Sequence, residues 1–256
     1  MAIDPRSGHV SADDLDFSSM PASKSTELRW RLAEAVAVLT EIHGRPRRPA
    51  VTDPFEMALC ENAAYLVDDA RRAEVFENLR ARIGLAPRAL AGAPDSILVD
   101  AVRAGGMRPQ DRAAKLKRCA ELAEEIGVER LREMVRTDPV GARKLLKRFP
   151  GIGEPGADKI LLYNGRARTL APDSNVLRVL VRLGFGKMEK DYGRTYRSAV
   201  EATAAELPSS HPKLIAAREL LRRHGQELCH RNHPRCEMCP LSARCEAFRA
   251  KSFATF

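Results

Sequence analysis

Four cysteines near the C-terminus, Cys229, Cys236, Cys239 and Cys245, are separated by six, two and five residues. Thiolates this close in sequence can close around one centre, and a tetrathiolate shell suits either zinc or an iron–sulfur cluster. Spacing alone does not choose between them. Cys60 and Cys119 stand apart and read as small core residues. A second stretch, "RFPGIGEPGADKILL" at residues 148–162, sets two glycines ahead of an apolar helical run. A turn there can aim the backbone N–H groups of Gly151, Ile152 and Gly153 outward, at a helix start whose unpaired N–H groups favour an anion. Glycine permits the tight turn and removes the Cβ that would block close approach. A phosphate bound this way positions the protein without reading sequence. Arg231 and Arg235, in "HRNHPR" between the first two cysteines, form a basic loop suited to further phosphates.

The elements that must hold these groups read almost entirely as helix. Apolar residues recur at helical spacing near 28–42, 71–82, 95–104, 110–126, 128–136 and 139–148. After the glycine turn they recur near 173–183, 192–206 and 211–225. Asp53-Pro54 supplies an N-cap and first-turn proline, with Glu56 completing a capping-box pattern, and Asp138-Pro139 opens another helix. No alternating strand and no fixed-period repeat is visible, so the expected class is all-α. The formal charge of +9 over 256 residues points to a polyanionic partner, nucleic acid before membrane. No apolar run approaches the ~20 residues needed to span a bilayer. The polar start, residues 1–26, lacks the apolar core of a secretion signal and reads as a disordered tail. We therefore expect a cytoplasmic monomer, nucleoid-associated if bacterial, whose cysteines are not a disulfide framework.

The cysteine spacing resembles the iron–sulfur loop of the endonuclease III and MutY-type DNA glycosylases. "FPGIGEPGADKILL" resembles their helix-hairpin-helix, and "APDSNVLRV" the segment that carries their catalytic aspartate. The three motifs stand in the family's order between about Asp53 and Cys245. The resemblance implies a two-lobed helix-hairpin-helix glycosylase fold with a C-terminal [4Fe-4S] cluster loop on the four cysteines. It further implies a helical-barrel domain at 51–168 bearing the hairpin, and a cluster domain built from 27–50 and 169–256. The partner implied is double-stranded DNA containing a damaged or mispaired base.

Residue by residue, the resemblance makes Asp173 the catalytic aspartate. Breaking an N-glycosidic bond puts positive charge on the sugar, which a carboxylate stabilises, and negative charge on the base, which an acid relieves. Asp173 is by type also an N-cap. Glu61 and Asn175 match the adenine and thymine mismatch branch. There Glu61, protonated through partial burial, would donate to the leaving base, and Asn175 would orient Asp173 or a water. Leu66 falls where the family often carries a wedge that fills the gap left by a flipped nucleotide, and Tyr65 could line the base pocket. Leucine in mid-helix would otherwise read as core.

Bifunctional members carry an attacking lysine two residues after the second glycine. Pro155 occupies that position here, which removes the amine while leaving the helix start intact. The expectation is a monofunctional glycosylase, with thymine or uracil opposite guanine, or a modified base, as substrate. Adenine opposite oxidised guanine is the weaker expectation, since eleven residues follow Cys245 and leave no room for the module that commonly reads the oxidised base. Two alternatives remain: a non-catalytic lesion-binding protein on the same scaffold, and a glycosylase/lyase that uses Lys159 as its nucleophile.

Overall fold

The computed structural model describes residues 29–47 and 49–252. The expected tail at 1–26 lies outside them. Among the described residues the chain forms thirteen α-helices joined by short links and single 3-10 turns, with no strand and one isolated bridge between Tyr65 and Gly106. The all-α expectation holds. Among the described residues no helix is long and apolar enough to cross a membrane.

Helix α1 (Leu32–His43) is followed by α2 (Pro54–Ala63), α3 (Asp69–Arg82), α4 (Pro87–Gly92) and α5 (Asp95–Val102). Then come α6 (Pro109–Ile126), α7 (Val128–Thr137), α8 (Pro139–Leu146) and α9 (Glu154–Tyr163). The chain continues through α10 (Ser174–Arg182), α11 (Tyr192–Thr203) and α12 (His211–Glu227) and ends in the short α13 (Glu246–Arg249). Starts follow local chemistry. Asp53, Asp68, Asp138, Asp173 and Asp191 each cap a helix through a side-chain oxygen. The capping box expected at Asp53 is half formed. Its carboxylate accepts from Phe55 and Glu56 N–H, but Glu56 turns away to pair with Arg80 at 3.1 Å. The brief α4 escapes periodicity because six residues are less than two turns.

The apolar side chains gather in two clusters. The first draws on α2 to α9 and includes Phe55, Phe76, Leu116, Phe149 and Ile152. The second draws on α1, α10, α11 and α12, with Trp30, Phe185 and Leu241. Helix α9 serves both: Ile160 and Leu161 belong to the first cluster and Leu162 to the second. A buried carboxylate on the same helix, Asp158, ties the clusters together. It accepts two bonds from Arg143 of α8, at 2.7 and 2.9 Å, and one from the Tyr196 hydroxyl of α11 at 2.5 Å. Charge-assisted bonds inside a protein are stronger than neutral ones and resist screening. The face of α9 that carries Lys159 is thereby fixed with respect to α10 to α12.

Candidate active site and thiolate loop

The glycine turn is held by Asn62, a buried residue in the last turn of α2. Its amide nitrogen donates to the Pro150 carbonyl at 2.7 Å and to the Ala58 carbonyl at 2.9 Å. Gly151 has φ +73, and a Cβ there would come within 2.6 Å of Asn62 Oδ1. The protein itself thus demands glycine at 151. Gly153 differs. An added Cβ would meet only Pro155 at 3.8 Å, so its open side is free for another molecule. One expectation is corrected: the Ile152 N–H does not point outward, because it donates to the Phe149 carbonyl at 3.1 Å, and the Ile152 side chain is buried. Among the described residues no hydrogen bond takes up the N–H of Gly151 or Gly153. Glu154, the first residue of α9, pairs with Arg143 at 2.9 Å.

Asp173 caps α10. Its Oδ1 accepts from the N–H of Asn175 at 2.9 Å and of Val176 at 3.1 Å. Its Oδ2 accepts from Arg218 Nη2 and Arg222 Nε, both at 3.0 Å, from successive turns of α12. A carboxylate has about four lone-pair sites, and all are engaged. Burial opposes ionisation of Asp173, but Arg218, Arg222, the helix N–H groups and Lys159 outweigh it and hold the carboxyl below its ordinary range. Arg218 is buried; it also donates to Glu219, to the Tyr163 hydroxyl and to the Ala171 carbonyl. Arg222 reaches further, pairing through both terminal nitrogens with Asp69 at the start of α3.

Glu61 and Lys159 form an ion pair across the α2–α9 contact, each side chain about a quarter exposed (29% and 20%). Burial opposes ionisation of Glu61, but Lys159, Arg72 and Arg218 prevail and keep it below the usual carboxylate range. This corrects the expectation of a protonated Glu61. Carboxyls that serve as acids near neutrality sit in apolar pockets without a cation, and this one has a lysine on it. Asn175 is also placed differently from expectation. Its backbone N–H, not its amide, touches Asp173, while its side-chain oxygen accepts from Arg178 at 2.8 Å.

Tyr65 and Leu66 lie not in mid-helix but in the turn after α2. They are 58% and 74% exposed, and Leu66 has φ +56, where a branched side chain is strained. Tyr65 N–H donates to the Gly105 carbonyl at 2.8 Å, and Met107, two residues on from Gly105, is exposed as well. Buried Arg112 pins both turns, donating to the carbonyls of Ala63, Val102 and Gly106 at 2.7 Å and of Met107 at 3.0 Å. Neither Arg112 nor Met107 carries a sequence signal of this role. Tyr192, at the start of α11, was equally invisible; burial and the charge of Asp173 push its phenol up to about 12. An open cleft of about 440 Å³ lies between the turn before α3 and the α10–α12 pair, and Asp173 is not among its lining residues. Asp69, Asn175, Gln226 and Arg231 are among its lining residues.

The four C-terminal cysteines share the wall of one largely apolar cavity with Val179, Leu183, Leu228 and Phe248. Arg182 donates to Cys229 Sγ at 3.3 Å, and His224 Nε2 lies 3.5 Å from Cys239 Sγ. Trp30 donates to the Leu241 carbonyl at 2.9 Å and fastens the loop to the segment before α1. Among the described residues no three such side chains are drawn together tightly enough for a single metal ion. Burial pushes the Cys239 thiol up to about 12 and raises Cys236 and Cys245 as well. Thiols in such a setting ionise when a cationic metal core supplies the compensating charge. The donor set, four sulfurs spread around one cavity, fits a polynuclear cluster. Arg231 and Arg235 are exposed on the loop between Cys229 and Cys236.

No family model matches this chain. It is 29% identical to endonuclease III of Thermotoga maritima over 206 residues, spanning 80% of this chain and 89% of that protein. Among solved structures, a non-covalent endonuclease III–DNA complex superposes with a TM-score of 0.67 at 18% identity, over 86% of this chain and 96% of the other. A thermostable thymine-DNA glycosylase superposes with a TM-score of 0.60 at 17% identity, over 86% of this chain and 97% of the other.

Proposed function

We infer that the chain is a helix-hairpin-helix DNA glycosylase of endonuclease III type, and from that premise we propose that it is a monofunctional DNA glycosylase of base excision repair. The substrate is a damaged or mispaired base, thymine or uracil opposite guanine or a modified base, swung out of double-stranded DNA. The observation that carries the reading is Asp173. It is an ionised carboxylate at the start of α10, two residues before Asn175, which lines the cleft, and it feels the charge of Lys159 on the helix that follows the glycine turn.

The open N–H groups of Gly151 and Gly153, with Arg231 and Arg235, hold the sugar-phosphate backbone. Leu66 and Tyr65, exposed on a turn fixed by Arg112, enter the stack where the nucleotide has left it. With its lone pairs engaged, Asp173 opposes the positive charge of the oxocarbenium-like sugar electrostatically, and water completes the hydrolysis. Asn175 contributes the N–H that holds Asp173 in place. Pro155 offers no amine to attack the sugar, which supports base removal without strand cleavage. Cys229, Cys236, Cys239 and Cys245 ligate a [4Fe-4S] cluster, which holds the basic loop in shape. The domain division that accompanies this reading follows the two apolar clusters, with the barrel at 51–168 and the cluster domain at 27–50 and 169–256.

The test is base release from labelled duplexes carrying single lesions or mismatches, each analysed with and without alkali, for wild type and Asp173→Asn. Alkali-dependent cleavage of one substrate, lost in the variant, is the expected result. A wild-type protein that binds lesion DNA but releases nothing from a broad panel would move the assignment to a lesion-binding protein.

A further inference from the structure

Glu61 cannot be the proton donor to the departing base, because its own carboxylate is ionised and held by Lys159. That leaves the base side of the reaction without an acid, and the group in the right place is the partner of Glu61. We propose that the Lys159 ammonium is the catalytic acid that stabilises and protonates the departing base, and that Glu61 is the positioning residue that aims it. This rests on the glycosylase reading and adds to it the group that acts on the base.

Three observations place Lys159 there. Its ammonium is confined by Glu61 across the α2–α9 contact and is only one-fifth exposed, so it is neither free in solvent nor sealed in the core. Its charge is felt at Asp173 at the start of α10, so the cation and the carboxylate are electrostatic neighbours. Its depth along α9 is also suitable. Pro155 stands beside the phosphate-facing turn, and Lys159, four residues on, lies about 6 Å further along the axis on the same face. In the glycosylase reading a lysine at position 155 would address the sugar, so a group one turn deeper is set to address the base attached to it.

The step balances without any other reagent. The bond between C1′ and the base nitrogen breaks with its electron pair leaving on the base, and Lys159 gives the base a proton. Water then adds its oxygen to C1′ and loses a proton, and Lys159 is reprotonated from solvent.

The experiment is single-turnover base release by wild type, Lys159→Gln, Lys159→Arg and Glu61→Gln. The duplexes carry 5-fluorouracil, uracil or thymine opposite guanine, a series of progressively poorer leaving groups. Binding to a non-cleavable 2′-fluoro duplex and a borohydride trapping assay run beside it. General acids contribute about 10²- to 10⁴-fold, so Lys159→Gln should slow thymine or uracil release by roughly 100-fold or more with binding little changed. The deficit should shrink for 5-fluorouracil, whose anion needs the least help, and Lys159→Arg should recover part of the rate. Glu61→Gln should fall in between. An unchanged Lys159→Gln rate would overturn the proposal while leaving the glycosylase standing, as would a loss equal for all three bases. Borohydride trapping of wild type but not of Lys159→Gln would instead make Lys159 a nucleophile. Absence of release by wild type from every duplex would sink the underlying reading and this inference with it.

Discussion

Replacing Asp173 by Asn changes one charge while leaving the helix cap in place, since asparagine caps as well as aspartate does. Whatever stability is lost therefore reports the bonds at Oδ2, which come from Arg218 and Arg222 at 3.0 Å. Removing one partner of a buried ion pair costs about 3–5 kcal/mol because the other charge is left unanswered. Here the remainder is softened. Arg218 keeps Glu219 at 2.6 Å and Arg222 keeps Asp69, although the asparagine NH2 that replaces Oδ2 cannot accept from either arginine. We expect a loss of about 2–3 kcal/mol near neutrality, somewhat below that range. Urea denaturation followed by helical ellipticity measures it, with an unchanged slope showing that the unfolded state is the same.

The pH dependence follows with a definite sign. The folded carboxyl lies below its ordinary value, so its contribution is present above the unfolded value of about 3.9 and disappears as pH falls through the folded one. The gap between wild type and Asp173→Asn should accordingly be steady from about pH 5 to 7 and close below about pH 4. A difference under about 0.5 kcal/mol at pH 7, or one that does not narrow in acid, would refute the arginine clamp.

Four further outcomes follow. Arg112→Met should destabilise by about 3 kcal/mol or more, because four carbonyls lose one charged donor, and it should also weaken duplex binding through the turns it pins. Gly151→Ala and Gly153→Ala should separate in paired stability and DNA-affinity measurements. The first costs about 1–2 kcal/mol of stability through its positive φ and its collision with Asn62, whereas the second leaves stability nearly unchanged and lowers affinity. Cys236→Ser should reduce the iron content and visible absorption of the purified protein, and zinc in a colourless wild type would contradict the cluster assignment. Raising salt from 50 to 200 mM should weaken duplex binding steeply, and less steeply once Arg231 and Arg235 are both replaced by Ala.

Much of this arrangement was legible because it depends on local rules. Helix starts at Asp53, Asp138 and Asp173 follow from aspartate capping and, in the first two, a first-turn proline. The long helices declare themselves by apolar spacing, which is why α6 and α12 fall within two residues of expectation. What escaped was set by long-range partners. Nothing near Glu61 in the sequence announces Lys159, 98 residues away, and a residue's ionisation depends on such neighbours. Leu66 reads as core by type, yet the chain leaves α2 just before it and turns it outward. Arginines 112, 218 and 222 look like surface charge in a basic chain, and only the packed structure shows two of them buried and the third joining distant carboxylates.

That third arginine has a consequence for how normal DNA is passed over. Arg222 holds Asp173 with one nitrogen and Asp69 with the other two, and Asp69 lies three residues after Leu66. The turn that would probe the stack and the carboxylate that would face the sugar therefore draw on the same positive charge. Any displacement that took Asp69 off Arg222 would shift the balance of charge around Asp173. Coupling of this kind is reciprocal, so the state of Asp173 also biases the position of the turn. A duplex touched only along its phosphates would leave the three groups as they are. Selectivity could then arise before any base is inspected, as a toll levied on how readily the stack gives way.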